Sequence, residues 1–412
     1  MRIFLKNKKF YIIYLSFSCS LILEFFLSLD LLGGVQSDFY ITFKLVQEIK
    51  NNFNLFDNNI LHFPTHYLIL ALIDLIFDNE YNTRFVYLFF SLTIPVIFYR
   101  CLILKYKKED KINLFLIACL IFLLPAYRSS AIWANLHITA IFFYICAIYF
   151  FLIFENNNYK KNTHLILLIT FLFLAIYTRL DFLFIYCAII LIIFFKLSKK
   201  KKYLLISFSF FLTIPILIIL FNYKNLLLVK SNDERYALFS FNYFNSIVVN
   251  ASFIFLYIFP IALRNISNLI SINSFLKNKI ISLILSILLC IIIFPNFNYT
   301  ERYGGGAIFK LSNIILGDKK ILFFCAIISF YIIFYLSLFS YRNFLFFFLF
   351  FITYNSQYLM QKYIEPLLLV LFYTMFNYEN NFKIFDKKNI YLTYIFFSLY
   401  WFSSLVYRYK FF

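Results

Sequence analysis

The chain is 412 residues long, 63% hydrophobic and only 14% charged, with 62 Phe, 34 Tyr and a mean hydropathy of +0.82. Such a composition excludes an ordinary water-soluble domain, which needs more polar surface to stay dispersed. The formal charge of +19 does not point to nucleic acid, because Lys and Arg fall in short clusters between apolar runs, where they specify membrane topology.

A helix needs about 20 apolar residues to cross a bilayer. Runs of roughly that length, rich in Phe, Ile, Leu and Tyr, recur along the chain, whereas barrel strands would be shorter and alternating. Spans are predicted near 10–29, 85–104, 112–125, 131–154, 165–178, 182–195, 203–221, 244–262, 280–294, 321–340, 344–354, 366–378 and 390–406. The first has no small-residue cleavage site and reads as an uncleaved anchor. The segment 66–77 is short, contains Asp74 and follows Pro64, so it is expected to be interfacial or re-entrant. The predicted fold is all-α: a polytopic transmembrane helix bundle of about 11–13 spans. It forms a single transmembrane domain, 1–412, with 30–84 as a first outer loop carrying interfacial helices.

With 66–77 not crossing, the clusters Lys105, Lys107, Lys108 and Lys111, then Lys160 and Lys161, then Lys196 and Lys199 to Lys202, fall on one side with the N-terminus. The positive-inside rule makes that side cytoplasmic. Most acids and three of the four His lie on the other, outer side. The seven Cys sit inside apolar runs without metal-ligand spacing and read as small hydrophobes. A Lys-, Asn-, Ile- and Phe-rich composition suggests an AT-rich bacterial genome and the inner membrane.

Residues able to do chemistry begin in the first outer loop, Gly33-Gly34-Val35-Gln36-Ser37-Asp38. An amphipathic interfacial helix is predicted over 41–53, with Ile41, Leu45, Val46 and Ile49 on one face. His62-Phe63-Pro64-Thr65-His66-Tyr67 and the short apolar segment follow.

An acid just beyond the first span, an interfacial helix and a proline leading into an apolar segment resemble the layout of GT-C glycosyltransferases. Near the C-terminus, Gln361-Lys362-Tyr363-Ile364-Glu365-Pro366-Leu367 is similar to the Arg-Tyr-x-x-Pro segment before a late span of that superfamily, with Lys362 in place of Arg. Gly317-Asp318-Lys319 is faintly similar to a loop of its dolichyl-phosphoglucose branch. Asp38 stands alone where many members have paired acids. The resemblance implies a multispan enzyme taking sugar from a polyprenyl-phosphate(-diphosphate) donor at the outer face. The acceptor would be a glycan, lipid or protein, and the anomeric carbon would invert. A divalent metal is compatible with it, and no other cofactor is implied.

Sugar transfer needs a base for the acceptor hydroxyl, and a carboxylate beside apolar walls suits the task. Asp38 is the candidate; the alternative is that Ser37-Asp38 caps the following helix. Tyr177-Thr178-Arg179-Leu180-Asp181 is a turn between spans. Asp181 reads there as a second acid or metal ligand with Arg179 on a phosphate, or the two as an ion pair fixing the turn. Ala126-Tyr127-Arg128-Ser129-Ser130 is a predicted turn, followed by Trp133 as an interface anchor, Asn135, and His137 as an acceptor contact or structural histidine. His62 and His66 have i,i+4 spacing, but Pro64 between them disfavours a helical metal pair, so substrate contact is the better reading. Arg302, before Gly304-Gly305-Gly306, is a phosphate-clamp candidate, and Lys362 and Tyr363 are placed to meet a carrier phosphate. Rival readings are an O-antigen-type polysaccharide polymerase or ligase and a lipid or solute flippase. The flippase reading is weakened because only Glu24 lies deep within a span.

Overall fold

The computed structural model describes residues 8–52, 63–222, 243–265, 276–300, 304–354, 359–378 and 382–409. Among these residues there is no strand, and the all-α expectation holds. The helices are α1 Lys8–Phe26, α2 Val35–Asn52, α3 Thr65–Phe77, α4 Glu80–Lys105, α5 Lys111–Cys119, α6 Pro125–Ile132, α7 Leu136–Asn156, α8 Asn162–Thr178 and α9 Leu183–Phe194. They continue with α10 Lys199–Asn222, α11 Tyr243–Arg264, α12 Leu276–Ile293, α13 Gly306–Leu316, α14 Lys320–Phe339, α15 Tyr341–Thr353, α16 Glu365–Thr374 and α17 Lys387–Tyr409.

Seven described helices are long and apolar enough to cross a membrane, and the pair Lys111–Leu123 and Pro125–Ile132, bent by 67°, is an eighth if the two halves form one broken span rather than a re-entrant loop. The chain is therefore an integral membrane protein. A count of about 11–13 spans requires shorter apolar helices such as Phe10–Phe26 and Asn162–Thr178 to cross as well.

The contacts group the residues into two compact units, unit 1 being Met1–Phe182, Phe194–Leu226 and Tyr394–Phe412, and unit 2 Leu183–Ile193 and Leu227–Thr393. Short polar side chains start three of the unit 1 helices, α4, α5 and α7. The Asn79 carbonyl accepts from the Tyr81 amide at 2.8 Å before α4, and Asp110 from Ile112 at 3.0 Å before α5. α7 packs between α4 and α8, and α2 packs on α3.

Residues 126–130, expected as a turn, form the body of α6, because Pro125 occupies its first turn. Arg128 on that helix is 1% exposed and reaches Glu24 of α1 at 2.6 Å. The pair is completed by Phe122 O, Ser20 Oγ and the Trp401 indole, which donates to Glu24 at 3.2 Å. The deep acid of the first span is thus held in a hydrogen-bonded ion pair.

Unit 2 packs α11 and α12 against α14, with α13 joining them. Gly317 (φ 65°) ends α13, and the Asp318 carboxylate accepts from the Lys320 amide at 2.9 Å to start α14. The Gly317-Asp318-Lys319 stretch therefore has a complete local role as a helix–helix turn.

Candidate functional site

The site in unit 1 begins at the loop before α2. The helix starts six residues earlier than its amphipathic pattern suggests, and the cause is Asp30. Its carboxylate, 4% exposed, accepts from the backbone amides of Leu32, Gly33, Gly34 and Gln36 at 2.8–3.3 Å. Gly33 and Gly34, at φ 65° and 138°, supply the turn. Asp30 does the anchoring that the capping alternative gave to Asp38. Asp38 itself lies half-buried in the first turn of α2. With this earlier start Val35, Phe39, Leu45, Val46 and Ile49 form the buried face, and Ile41 is exposed.

The two residues after Asp38 carry α2 onto an aromatic cluster. The Phe39 and Tyr40 rings lie 6.2 and 6.0 Å from Trp133. Trp133, expected at the lipid interface, is 1% exposed, because the Arg84 guanidinium stacks 3.6 Å from its ring centre. Arg84 donates to Ile132 O at 3.2 Å and also lies over Phe25 and Phe39.

The predicted turn residues meet beside this cluster. Arg179, 4% exposed, pairs through Nη2 with Asp181 and through Nη1 with His137 Nδ1 at 3.1 Å. A guanidinium only donates, so His137 Nδ1 accepts and the imidazole proton sits on Nε2. The Asn135 side chain caps α7 by accepting from the His137 amide at 3.0 Å. The Asn135 carbonyl accepts from Tyr87 at 2.9 Å, Tyr87 meets Thr139 at 2.7 Å, and Thr139 meets His66 Nδ1 at 2.8 Å. Because the single Tyr87 proton goes to Asn135, Thr139 donates to Tyr87 and His66 Nδ1–H donates to Thr139. A continuous polar chain thus runs from Asp181 to His66, and its two imidazoles hold opposite tautomers. Its members come from the first turns of α3 and α7, from Tyr87 two turns into α4, and from the residues just after α8.

α3 is fixed below α2 by Asp74, 1% exposed, which accepts from Gln47 at 2.9 Å, Lys50 at 3.1 Å and Thr83 at 3.1 Å. Lys50 also reaches Asp78 at 2.5 Å. This hydrogen bonding raises the Lys50 ammonium and lowers the Asp78 carboxyl relative to their ordinary values.

In unit 2 two expected segments come together. The Gly305 amide donates to Leu359 O at 2.9 Å and the Ala307 amide to Gln361 Oε1 at 2.8 Å, so the Gly304–Gly306 loop docks on the turn bearing Lys362 and Tyr363. A Cβ on Gly304 would lie 2.8 Å from Leu359 O, and one on Gly306 would strike the Phe253 ring. Lys362 and Tyr363 are half-buried, with the ammonium 5.2 Å from the Tyr363 ring centre. Arg302 and His62 lie outside the described residues.

Asp30, Arg84 and the Arg128–Glu24 pair were not singled out as site residues by the sequence. An acid ahead of Gly-Gly was the available signal for Asp30. Among the described residues no group of three or more His, Cys, Asp or Glu is placed to hold a metal ion. At Asp181 a metal would have to displace the guanidinium. Compared with known proteins, the chain matches no family model, no curated protein and no solved structure at a significant level.

Proposed function

We propose that this protein is a membrane glycosyltransferase of GT-C type, moving a sugar from a polyprenyl-phosphate or polyprenyl-diphosphate donor to an acceptor hydroxyl. One observation carries the reading: the buried Arg179 and His137 and the half-buried Asp181 form a hydrogen-bonded cluster in unit 1. Trp133, packed on the first turn of α2 that bears Asp38, lies two residues before Asn135, the cap of the helix that carries His137.

Asp38 takes the proton as the acceptor oxygen attacks the anomeric carbon. The bond from that carbon to the phosphate oxygen breaks, its electron pair leaves with the phosphate, and the configuration inverts. Arg179, with Asp181 holding its plane, stabilises the departing charge. Lys362 and Tyr363 of unit 2, with Arg302, are basic and aromatic groups of the kind that suit a carrier phosphate. His66 and His137 are assigned to the acceptor side, and the sequence assigns His62 the same role. A divalent ion, if bound, would share the phosphate charge. The reaction belongs to the outer face of a bacterial inner membrane, with the N-terminus in the cytoplasm, as the lysine clusters write it.

The test is Asp38→Asn in protein reconstituted with polyprenyl-phosphate sugars. Loss of a general base costs about 10²–10⁴-fold in turnover. A near-normal rate would favour instead a polymerase or ligase, which works through basic residues without a catalytic acid.

A further inference from the structure

We propose that the lysine-rich end of unit 1, where the turn between α7 and α8 meets the start of α10, seats an anionic phospholipid. The ammonium groups hold its phosphate, and its acyl chains lie along the exposed face of α10. This proposal is independent of the glycosyltransferase reading.

The seat is built by the chain itself. Asn158 and Tyr159 take left-handed conformations, at φ 49° and 59°, and the Tyr159 and Lys160 carbonyls both accept from Lys201, the latter at 2.5 Å. Lys196 donates to the Tyr159 hydroxyl at 3.1 Å, and Lys202 lies 4.7 Å from the Phe194 ring centre. Lys160, Lys161, Lys199 and Lys200 are exposed around them. Among the described residues the one acid paired with these lysines is Glu155, 3.7 Å from Lys196. His164, the neighbouring titratable group, is pushed down by burial and by Lys161.

Lys199 to Lys202 occupy the first turn of α10, the positive end of the helix dipole, where cations are disfavoured. An external anion relieves both that and their mutual repulsion. The ligand is a lipid and not a free anion because an apolar face continues directly from the lysines. Tyr203 is 73% exposed, Phe210 68%, Phe211 65% and Ile206 55%. Head and tail chemistry therefore lie in register on one helix, as basic clusters at membrane-helix ends require for acidic lipids.

The experiment is native mass spectrometry of the full chain released from micelles of equal phosphatidylglycerol and phosphatidylcholine. Wild type is expected to retain phosphatidylglycerol preferentially. Each lysine at an anionic surface contributes about fivefold in affinity. The triple variant Lys199→Gln, Lys200→Gln, Lys202→Gln should therefore lose at least about tenfold in phosphatidylglycerol retention, with phosphatidylcholine unchanged. The matched variant Lys383→Gln, Lys387→Gln, Lys388→Gln should keep it. Equal losses in both variants, or displacement of the lipid by millimolar inorganic phosphate, overturn the proposal. Should the triple variant fail to insert, a salt titration of wild type decides: salt-insensitive retention of phosphatidylglycerol overturns the proposal, and a steep decline upholds it.

Discussion

His137 and His66 show how a single hydrogen-bond direction sets chemistry at the level of one atom. The Arg179 contact leaves His137 with its proton on Nε2, while Thr139 keeps the His66 proton on Nδ1. The expected outcome of ¹⁵N-histidine labelling is two distinct ring patterns, with Nδ1 bare in His137 and protonated in His66. Arg179→Lys should leave His66 unchanged and mix the His137 tautomers, because one ammonium cannot serve both His137 and Asp181 in a planar fork. If the two rings show the same tautomer in wild type, the polar chain is wired differently. Arg179 and Asp181 were legible in the sequence because charges beside hydrocarbon demand a reason. Asp30 was harder to read, because its partners are backbone amides and the one signal was an acid ahead of Gly33-Gly34. Trp133 misled for a related cause: aromatic residues near span ends usually meet lipid, and here a guanidinium claims the ring.

At the scale of helices and turns, the glycine loop of unit 2 and the tie between α2 and α3 make opposite demands. Gly306 sits at φ 75° against Phe253, so Gly306→Ala combines a left-handed backbone with a clash. It should cost about 1–3 kcal/mol and raise amide exchange at Gly305 and Ala307, which report the docking on Leu359 and Gln361. Unchanged exchange there would show that the loop tolerates a side chain. The Lys50 tie is electrostatic, with its Asp78 arm open to solvent. The lowered carboxyl of Asp78 contributes above the ordinary carboxylate range and loses that contribution as pH falls through its folded value. The raised ammonium of Lys50 contributes below its ordinary value and loses it as pH rises through the folded one. Exchange protection of α2 should therefore be flat between about pH 5 and 10 and decline outside that window. The helices themselves were legible from apolar run length. Their breaks were less so: the 67° bend before Pro125 answers to a buried Arg128 whose partner lies 104 residues away.

For the whole molecule, that same pair sets a stability prediction. Glu24→Ala leaves Arg128 buried without its carboxylate and should destabilise unit 1 by about 3–5 kcal/mol, measured as a fall in thermal midpoint in detergent. A joint replacement, Glu24→Leu with Arg128→Met, should recover most of the loss, and failure to recover would mean that Trp401 and Ser20 depend on the charges for more than pairing. The Asp30 amide donates to the hydroxyl of Tyr409, and Gly33 leaves room for the Arg408 guanidinium. Tyr409 leaves the ribosome 379 residues after Asp30. Unit 1 therefore includes a contact that cannot form until α17 has been synthesised. Nascent chains arrested before α17 should carry a loop at 28–36 that a protease cuts, while released chains resist. Biogenesis, and not equilibrium stability, is where this architecture is most exposed.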